Sequence, residues 1–247
     1  MKLLLPRWIA HRGGGSLAPE NTLAGIRLAA RMGYKAVEFD VMLSGDGTPV
    51  LIHDETLERT TNGAGRVCET PDAVLFSLDA GNGERIPKFS EAAELCRSLG
   101  LLANVEIKPA CGFEVVTAET VARLAAEFWQ GADIPPLISS FSVEAVEIAR
   151  DLAPGIPRGL LYEQVPADWS ATARRLKAFT LHCSAKHVSD AVLAEAQAMG
   201  MQVLCYTVNA PDKAAALFGR GVTAVFTDRL DLFAPETSPY KGLHLPG

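Results

Sequence analysis

The sequence has no C-x-x-C pair, no long apolar run and no excess of basic residues. Its five cysteines, Cys68, Cys96, Cys111, Cys183 and Cys205, are odd in number and widely spaced, which argues against a disulfide framework or a cysteine-rich zinc module and for a reducing compartment. With 23 Lys+Arg against 29 Asp+Glu, the formal net charge of -6 offers no basic stripe for long nucleic acid, whose binding depends on counterion release. A local cluster of cations can still hold a small anionic ligand. Near the N-terminus, Lys2 precedes only Leu3, Leu4 and Leu5 before Pro6 and Arg7 interrupt, too short a run for a signal peptide or a membrane span. The expected protein is therefore cytoplasmic, without a stable membrane anchor. What is present is a hydrophobic fraction of 48% in 247 residues, enough for a sizeable globular core and the length of one large α/β barrel domain.

Apolar runs of strand length fall at residues 8–11, 36–43, 49–53, 102–108, 137–141, 159–162, 179–182, 202–208 and 224–228. Amphipathic segments at 22–32, 114–129, 143–152, 191–199 and 212–218 separate most of them, and this alternation predicts parallel strands with crossover helices. Only Ser44-Gly45-Asp46-Gly47-Thr48 lies between the second and third runs, a hairpin turn too short for a parallel crossover. Setting that returning strand aside leaves eight parallel strands, the pattern of a TIM (β/α)8 barrel with a β-hairpin after strand 2. Residues 57–87, with Asn62-Gly63, Pro71 and Gly81-Asn82-Gly83, break the alternation and read as a small insertion on the loop face. The segment 234–247, with three prolines and two glycines, reads as a flexible tail on a single domain spanning 1–247.

Active sites of this fold sit at the C-terminal ends of the strands. The first strand ends in His11-Arg12-Gly13-Gly14-Gly15, which sets an imidazole and a guanidinium beside a glycine run where backbone can approach a ligand; a flexible turn with a solvated Arg is the alternative. In Val37-Glu38-Phe39-Asp40-Val41, period-2 alternation turns Glu38 and Asp40 to one face. Asn104-Val105-Glu106-Ile107-Lys108 adds a third carboxylate and a Lys. Three convergent carboxylates need protons or a cation, and hard oxygen donors suit Mg²⁺, Ca²⁺ or Mn²⁺; a buried Glu–Lys ion pair is the blander reading. The hairpin returns His53 and Asp54 beside the carboxylates, so His11 and His53 flank one acidic cluster in positions suited to acid and base roles. His182 lines the same mouth in either a supporting or a purely structural role. At other strand ends, Ser139-Ser140-Phe141, Tyr206-Thr207-Val208-Asn209 and Thr227-Asp228 are candidates for substrate contact or for ordering the groups around it. Glu20-Asn21-Thr22 reads first as a helix start with Asn21 or Thr22 as cap, and Glu20 is also in reach of Arg12.

Taken together, H-R-G-G-G at 11–15, A-P-E-N-T at 18–22, V-E-F-D-V at 37–41, L-I-H-D at 51–54, L-E-R-T-T-N-G at 57–63, N-V-E-I-K-P at 104–109 and Y-T-V-N at 206–209 resemble the glycerophosphodiester phosphodiesterase family, in order and spacing. The resemblance runs from about residue 8 to about residue 230 and is closest to the compact cytoplasmic bacterial type. It implies a barrel of the phospholipase C-like kind that hydrolyses glycerophosphodiesters to sn-glycerol 3-phosphate and an alcohol with a divalent cation. It also implies that Glu38, Asp40 and Glu106 ligate the metal, that His11 and His53 form the acid/base pair, and that Arg12 and Lys108 hold phosphate oxygens. Tyr206 stands where many members have Trp, which keeps an aromatic wall but alters its fit to the alcohol. Glu20, Asp54, His182 and Asp228 are then candidates for the supporting shell. Rival readings are a related phosphodiesterase acting on lysophospholipid, a metal-dependent barrel enzyme of carbon acids and a non-catalytic barrel binding a phosphorylated metabolite.

Overall fold

The computed structural model describes residues 3–233, so the expectation of a flexible tail at 234–247 lies outside the described residues. Nine strands form: β1 (Trp8–Ala10), β2 (Ala36–Leu43), β3 (Pro49–Leu51), β4 (Leu102–Ile107), β5 (Leu137–Ser140), β6 (Arg158–Tyr162), β7 (Thr180–Ser184), β8 (Gln202–Tyr206) and β9 (Ala224–Thr227). Parallel pairing runs from β1 through β9, β8, β7, β6, β5 and β4 to β2, and a β1–β2 pair closes the ring. This is the expected eight-stranded parallel barrel. β3 returns antiparallel along the end of β2, with Met42 opposite Val50, as the short Ser44–Thr48 turn requires.

The helices are α1 (Leu23–Arg31), α2 (Asp72–Leu75), α3 (Phe89–Ser98), α4 (Glu114–Phe128), α5 (Val143–Leu152), α6 (Trp169–Leu176), α7 (Asp190–Ala198) and α8 (Pro211–Gly219). Three of them, α2, α3 and α6, are additions to the segments expected from sequence; α2 is a single turn within residues 57–87, and the other two are longer. Neither begins with a Ser or Thr cap: α3 opens after Pro87-Lys88, where Glu91 reaches back to accept from the Lys88 backbone N–H at 2.8 Å, and α6 follows Asp168, whose side chain makes no capping bond. The local start signal was therefore weak, and packing against the barrel decides the outcome.

Alternation along each strand separates two cores. Val37, Phe39 and Val41 of β2, with Ala103, Val105 and Ile107 of β4, face outward and pack against Ile26 of α1, Phe89 of α3 and Val121 of α4. Ile9, Ala36, Leu102, Leu137, Leu204, Ala224 and Phe226 fill the barrel from within, joined by Leu3. Each fully buried aliphatic side chain of this kind contributes roughly 1.5–3 kcal/mol. Above that apolar plug the same inward positions turn polar, and the site begins there. Residues 57–87 carry a further small core in which Leu57, Val67, Cys68, Leu75 and Ile86 pack against Met42, Val50 and Ile52 of the hairpin.

Candidate active site

Parallel register brings the carboxylates together. Glu38 lies beside Asn104 and Asp40 beside Glu106 on neighbouring strands, all four buried. One oxygen from each of Glu38, Asp40 and Glu106 lies within 4.8 Å of the others. Burial first, and then its acidic neighbours Asp40 and Glu106, hold the Glu38 carboxyl well above its ordinary range. Glu106 is pushed up to about 8 by burial and then by Asp40. Burial also works against ionisation of Asp40, but Lys108, His53, Arg12 and a hydrogen bond from Asn21 outweigh it and leave its pKa lowered. Glu38 Oε1 and Glu106 Oε1 are buried without a hydrogen-bond partner. Two unpartnered carboxylate oxygens in a cluster that disfavours its own charge form a donor set fitted to a hard divalent cation.

Two imidazoles stand over this cluster, each backed by a carboxylate of its own. His11, directly after β1, donates through Nδ1 to Asp228 Oδ1 at 2.6 Å, and its Nε2 lies 3.8 Å from Glu38 Oε2. His53, two residues after β3, donates through Nδ1 to Asp54 Oδ1 at 2.6 Å. A carboxylate can only accept, so the ring proton stays on Nδ1 in both and Nε2 is left for a proton in transit. Burial lowers the pKa of His53, against the opposing pull of Asp40 and Asp54. Asp228 is itself held by Asn209, which donates through Nδ2 to Asp228 Oδ2 at 2.9 Å and accepts from the Asp228 backbone N–H at 2.8 Å.

Arg12 and Lys108 bring positive charge to the same cavity. The Arg12 backbone N–H donates to Glu38 Oε2 at 2.8 Å, and Nη1 donates to Glu20 Oε1 at 3.0 Å. Its Nε makes no hydrogen bond and lies 3.8 Å from Asp40 Oδ2. Lys108 Nζ lies 3.4 Å from Asp40 and 3.9 Å from Glu106. These groups, together with Phe141, Leu161, His182, Tyr206 and Phe226, line a cavity of about 120 Å³ at the mouth of the barrel. Tyr206 meets Phe141 edge to face with centroids 5.9 Å apart. His182 is fully buried on its floor, bonded through Nε2 to Thr180 Oγ1 at 2.9 Å and kept neutral by burial, with a pKa near 3. It makes no hydrogen bond to either of the two half-buried imidazoles or to the carboxylates.

Of the two caps that the sequence left open for α1 one is chosen, and the reading of the glycine run changes. The cap of α1 is Thr22, whose Oγ1 accepts from the Gly25 N–H, whereas Asn21 turns inward at a φ of 56° and grips Asp40 twice. Asn21 Nδ2 donates to Asp40 Oδ2 at 2.9 Å and Oδ1 accepts from the Asp40 backbone at 3.1 Å. Helix starts and buried polar clamps use the same short amide, so the spacing alone left Asn21 open as a cap beside Thr22. The glycine run at 13–15 serves close packing within the protein: Gly15 has a φ of 57°, and a Cβ there would collide with the backbone of Asp228. Arg59, with a hydrogen bond to both Glu20 and Asp54, was missed as a supporting residue because it lies six residues beyond the last strand position of the hairpin read from sequence.

Two carboxylate-anchored imidazoles beside a carboxylate cluster, with a guanidinium and an ammonium group in the same cavity, have the chemistry to split an anionic ester. Residues 11–232 match the glycerophosphoryl diester phosphodiesterase family. A glycerophosphodiester phosphodiesterase of Caldanaerobacter subterraneus is 32% identical over 89% of this chain and 93% of its own. A phosphodiesterase of Oleispira antarctica, solved in complex with the product sn-glycerol-3-phosphate, superposes with a TM-score of 0.85 at 39% identity, covering 91% of this chain and 93% of that one. A glycerophosphodiester phosphodiesterase of Agrobacterium tumefaciens gives a TM-score of 0.77 at 26% identity over 93% and 99%. The chain belongs to the glycerophosphoryl diester phosphodiesterase family.

Proposed function

We propose that this enzyme hydrolyses glycerophosphodiesters such as glycerophosphocholine and glycerophosphoethanolamine to sn-glycerol 3-phosphate and the free alcohol. The observation that carries this reading is the pair of carboxylate-anchored imidazoles lining the same cavity as the Glu38–Asp40–Glu106 cluster, in a chain that over 91% of its length resembles a phosphodiesterase solved with sn-glycerol-3-phosphate. Glu38, Asp40 and Glu106 would hold a divalent cation, Mg²⁺ or Ca²⁺ with Mn²⁺ as a further candidate. When bound, that ion supplies Lewis-acid stabilisation of charge on the phosphoryl oxygens.

The chain's own residues supply the rest. Arg12 and Lys108 offer donors to the non-bridging oxygens, and both approach the cavity with capacity to spare because their present partners are long or few. One imidazole takes a proton through Nε2 from the attacking hydroxyl, of water or of the substrate's own glycerol, while the other, protonated, delivers one to the leaving alcohol as its P–O bond breaks; where the glycerol hydroxyl attacks, water then opens the resulting cyclic phosphate to sn-glycerol 3-phosphate. Asp228 and Asp54 keep each ring in the tautomer that leaves Nε2 facing the substrate. Two such groups at ~10²–10⁴-fold each lower the barrier by roughly 5–11 kcal/mol, so electrostatic stabilisation at the phosphoryl group has to provide much of the remainder. Asn21 fixes Asp40 from behind. Phe141, Leu161 and Tyr206 exclude water from one side and form a wall for the alcohol.

No helix among the described residues is long and apolar enough to cross a membrane. The test is coupled detection of sn-glycerol 3-phosphate from glycerophosphocholine and glycerophosphoethanolamine. Release from both is expected. Faster turnover of micellar lysophospholipid would favour the lipid-directed reading, and equilibrium binding of the diester without product would favour a non-catalytic barrel.

A further inference from the structure

We propose that Arg59 is a positioning residue for both sides of the site, tying the carboxylate behind His53 to the carboxylate behind Arg12; this rests on the hydrolase reading above. Its guanidinium forks onto Glu20, with Nη1 donating to Oε2 and Nη2 to Oε1, each at 2.8 Å. The same group donates through Nε to Asp54 Oδ2 and through Nη2 to Asp54 Oδ1 at 3.0 Å. Both carboxylates pass the constraint inward through atoms that Arg59 also touches. Asp54 Oδ1 accepts a hydrogen bond from His53 Nδ1–H, and Glu20 Oε1 accepts one from Arg12 Nη1. Arg59 itself does not line the cavity.

Without this bridge, Glu20 and Asp54 would face one another as like charges, and each would be free to turn towards solvent and away from its inner partner. The side chain is carried on a turn whose base is anchored: Leu57 is buried in the small core of residues 57–87, and Thr61 donates to its carbonyl through both N–H and Oγ1, at 3.1 and 2.7 Å. That segment thereby reaches the chemistry through a planar fork. A Lys at this position could satisfy one carboxylate but not two bidentate partners at once. Because the Arg59 side chain is 47% exposed, replacing it opens no cavity in the core.

The experiment compares wild type, Arg59→Met and Arg59→Lys by steady-state release of sn-glycerol 3-phosphate and by ¹H–¹⁵N correlation of the imidazole nitrogens. Arg59→Met is expected to lose about ten- to a hundredfold in kcat with a smaller rise in KM, and Arg59→Lys to recover part of the kcat loss. The hydrogen-bonded Nδ1–H signal of His53 should weaken in Arg59→Met while that of His11 stays in place. An unchanged His53 signal, or wild-type kcat and KM in Arg59→Met, would overturn the proposal. Absence of product from wild type would instead strike the hydrolase reading, and the imidazole spectra would still decide the role of Arg59.

Discussion

The two halves of the barrel mouth are built differently. From β1 to β4 and the β2–β3 hairpin come His11, Arg12, Glu38, Asp40, His53, Glu106 and Lys108; from β5 to β9 come Phe141, Leu161, His182, Tyr206 and Phe226. The first half concentrates ionisable groups, several of them buried and held away from their ordinary pKa values, whereas the second half contributes a neutral His and apolar walls. The contrast shows how one fold makes a few charges effective. An apolar wall facing the cluster lowers the local dielectric, which strengthens each interaction with an anionic substrate and raises the cost of leaving any of those charges unpaired. The halves meet where the ring closes: Asp228, just beyond β9, reaches back to hold His11, and Asn209, after β8, holds Asp228.

Removing an imidazole from the charged half should have the largest effect. His11→Ala and His53→Ala are each expected to cut kcat by about 10²–10⁴-fold while calorimetry shows cation affinity largely kept. Wild-type turnover in either variant would remove that residue from the chemistry.

Glu38→Gln should weaken cation binding by at least tenfold, because a neutral amide replaces a charged donor. The same charge logic gives a pH dependence. In the cation-free protein Glu106 titrates near 8 and Glu38 is also raised, both above their unfolded values. The folded state therefore holds more protons than the unfolded chain between about pH 4.3 and 8, so these two groups destabilise the cation-free fold progressively as pH rises through that window. A cation displaces those protons, so its affinity and the rise in Tm that it confers should both increase from pH 5 to 8. Thermal melts with and without Mg²⁺ or Ca²⁺ across that range check this, and a Tm gain independent of pH would contradict it.

Substitutions in the apolar half should be milder and should separate KM from kcat. Phe141→Ala and Tyr206→Ala are expected to raise KM by roughly three- to tenfold, about the loss of one aromatic contact, with kcat changed less, and by amounts that differ between choline and ethanolamine diesters. A loss in kcat as large as that of the His variants would erase the distinction between the halves.

Much of this arrangement was legible in the sequence because strand alternation and parallel register are simple rules. V-E-F-D-V and N-V-E-I-K place Glu38, Asp40 and Glu106 inward once the barrel is assumed, and the short Ser44–Thr48 turn places His53 beside them. What was not legible depends on side chains that could serve two purposes. Asn21 had the makings of a cap, and only the positive φ and the approach of β2 turn it onto Asp40. Arg59 sits in a segment without regular structure, where no periodicity says which way a side chain points. α3 and α6 lack Ser or Thr caps, so their helical form is decided by the buried faces of Phe89, Ala92, Ala93 and Cys96 and of Trp169, Ala173 and Leu176.

The most direct test of the charged half as the seat of catalysis is the cation dependence of turnover in protein stripped of metal and shown by circular dichroism to be folded. Release of sn-glycerol 3-phosphate from glycerophosphocholine should fall to background in the stripped enzyme and return on addition of Mg²⁺ or Ca²⁺, in wild type and far less in Glu38→Gln. Undiminished turnover by protein verified to be free of metal would contradict the role given to Glu38, Asp40 and Glu106.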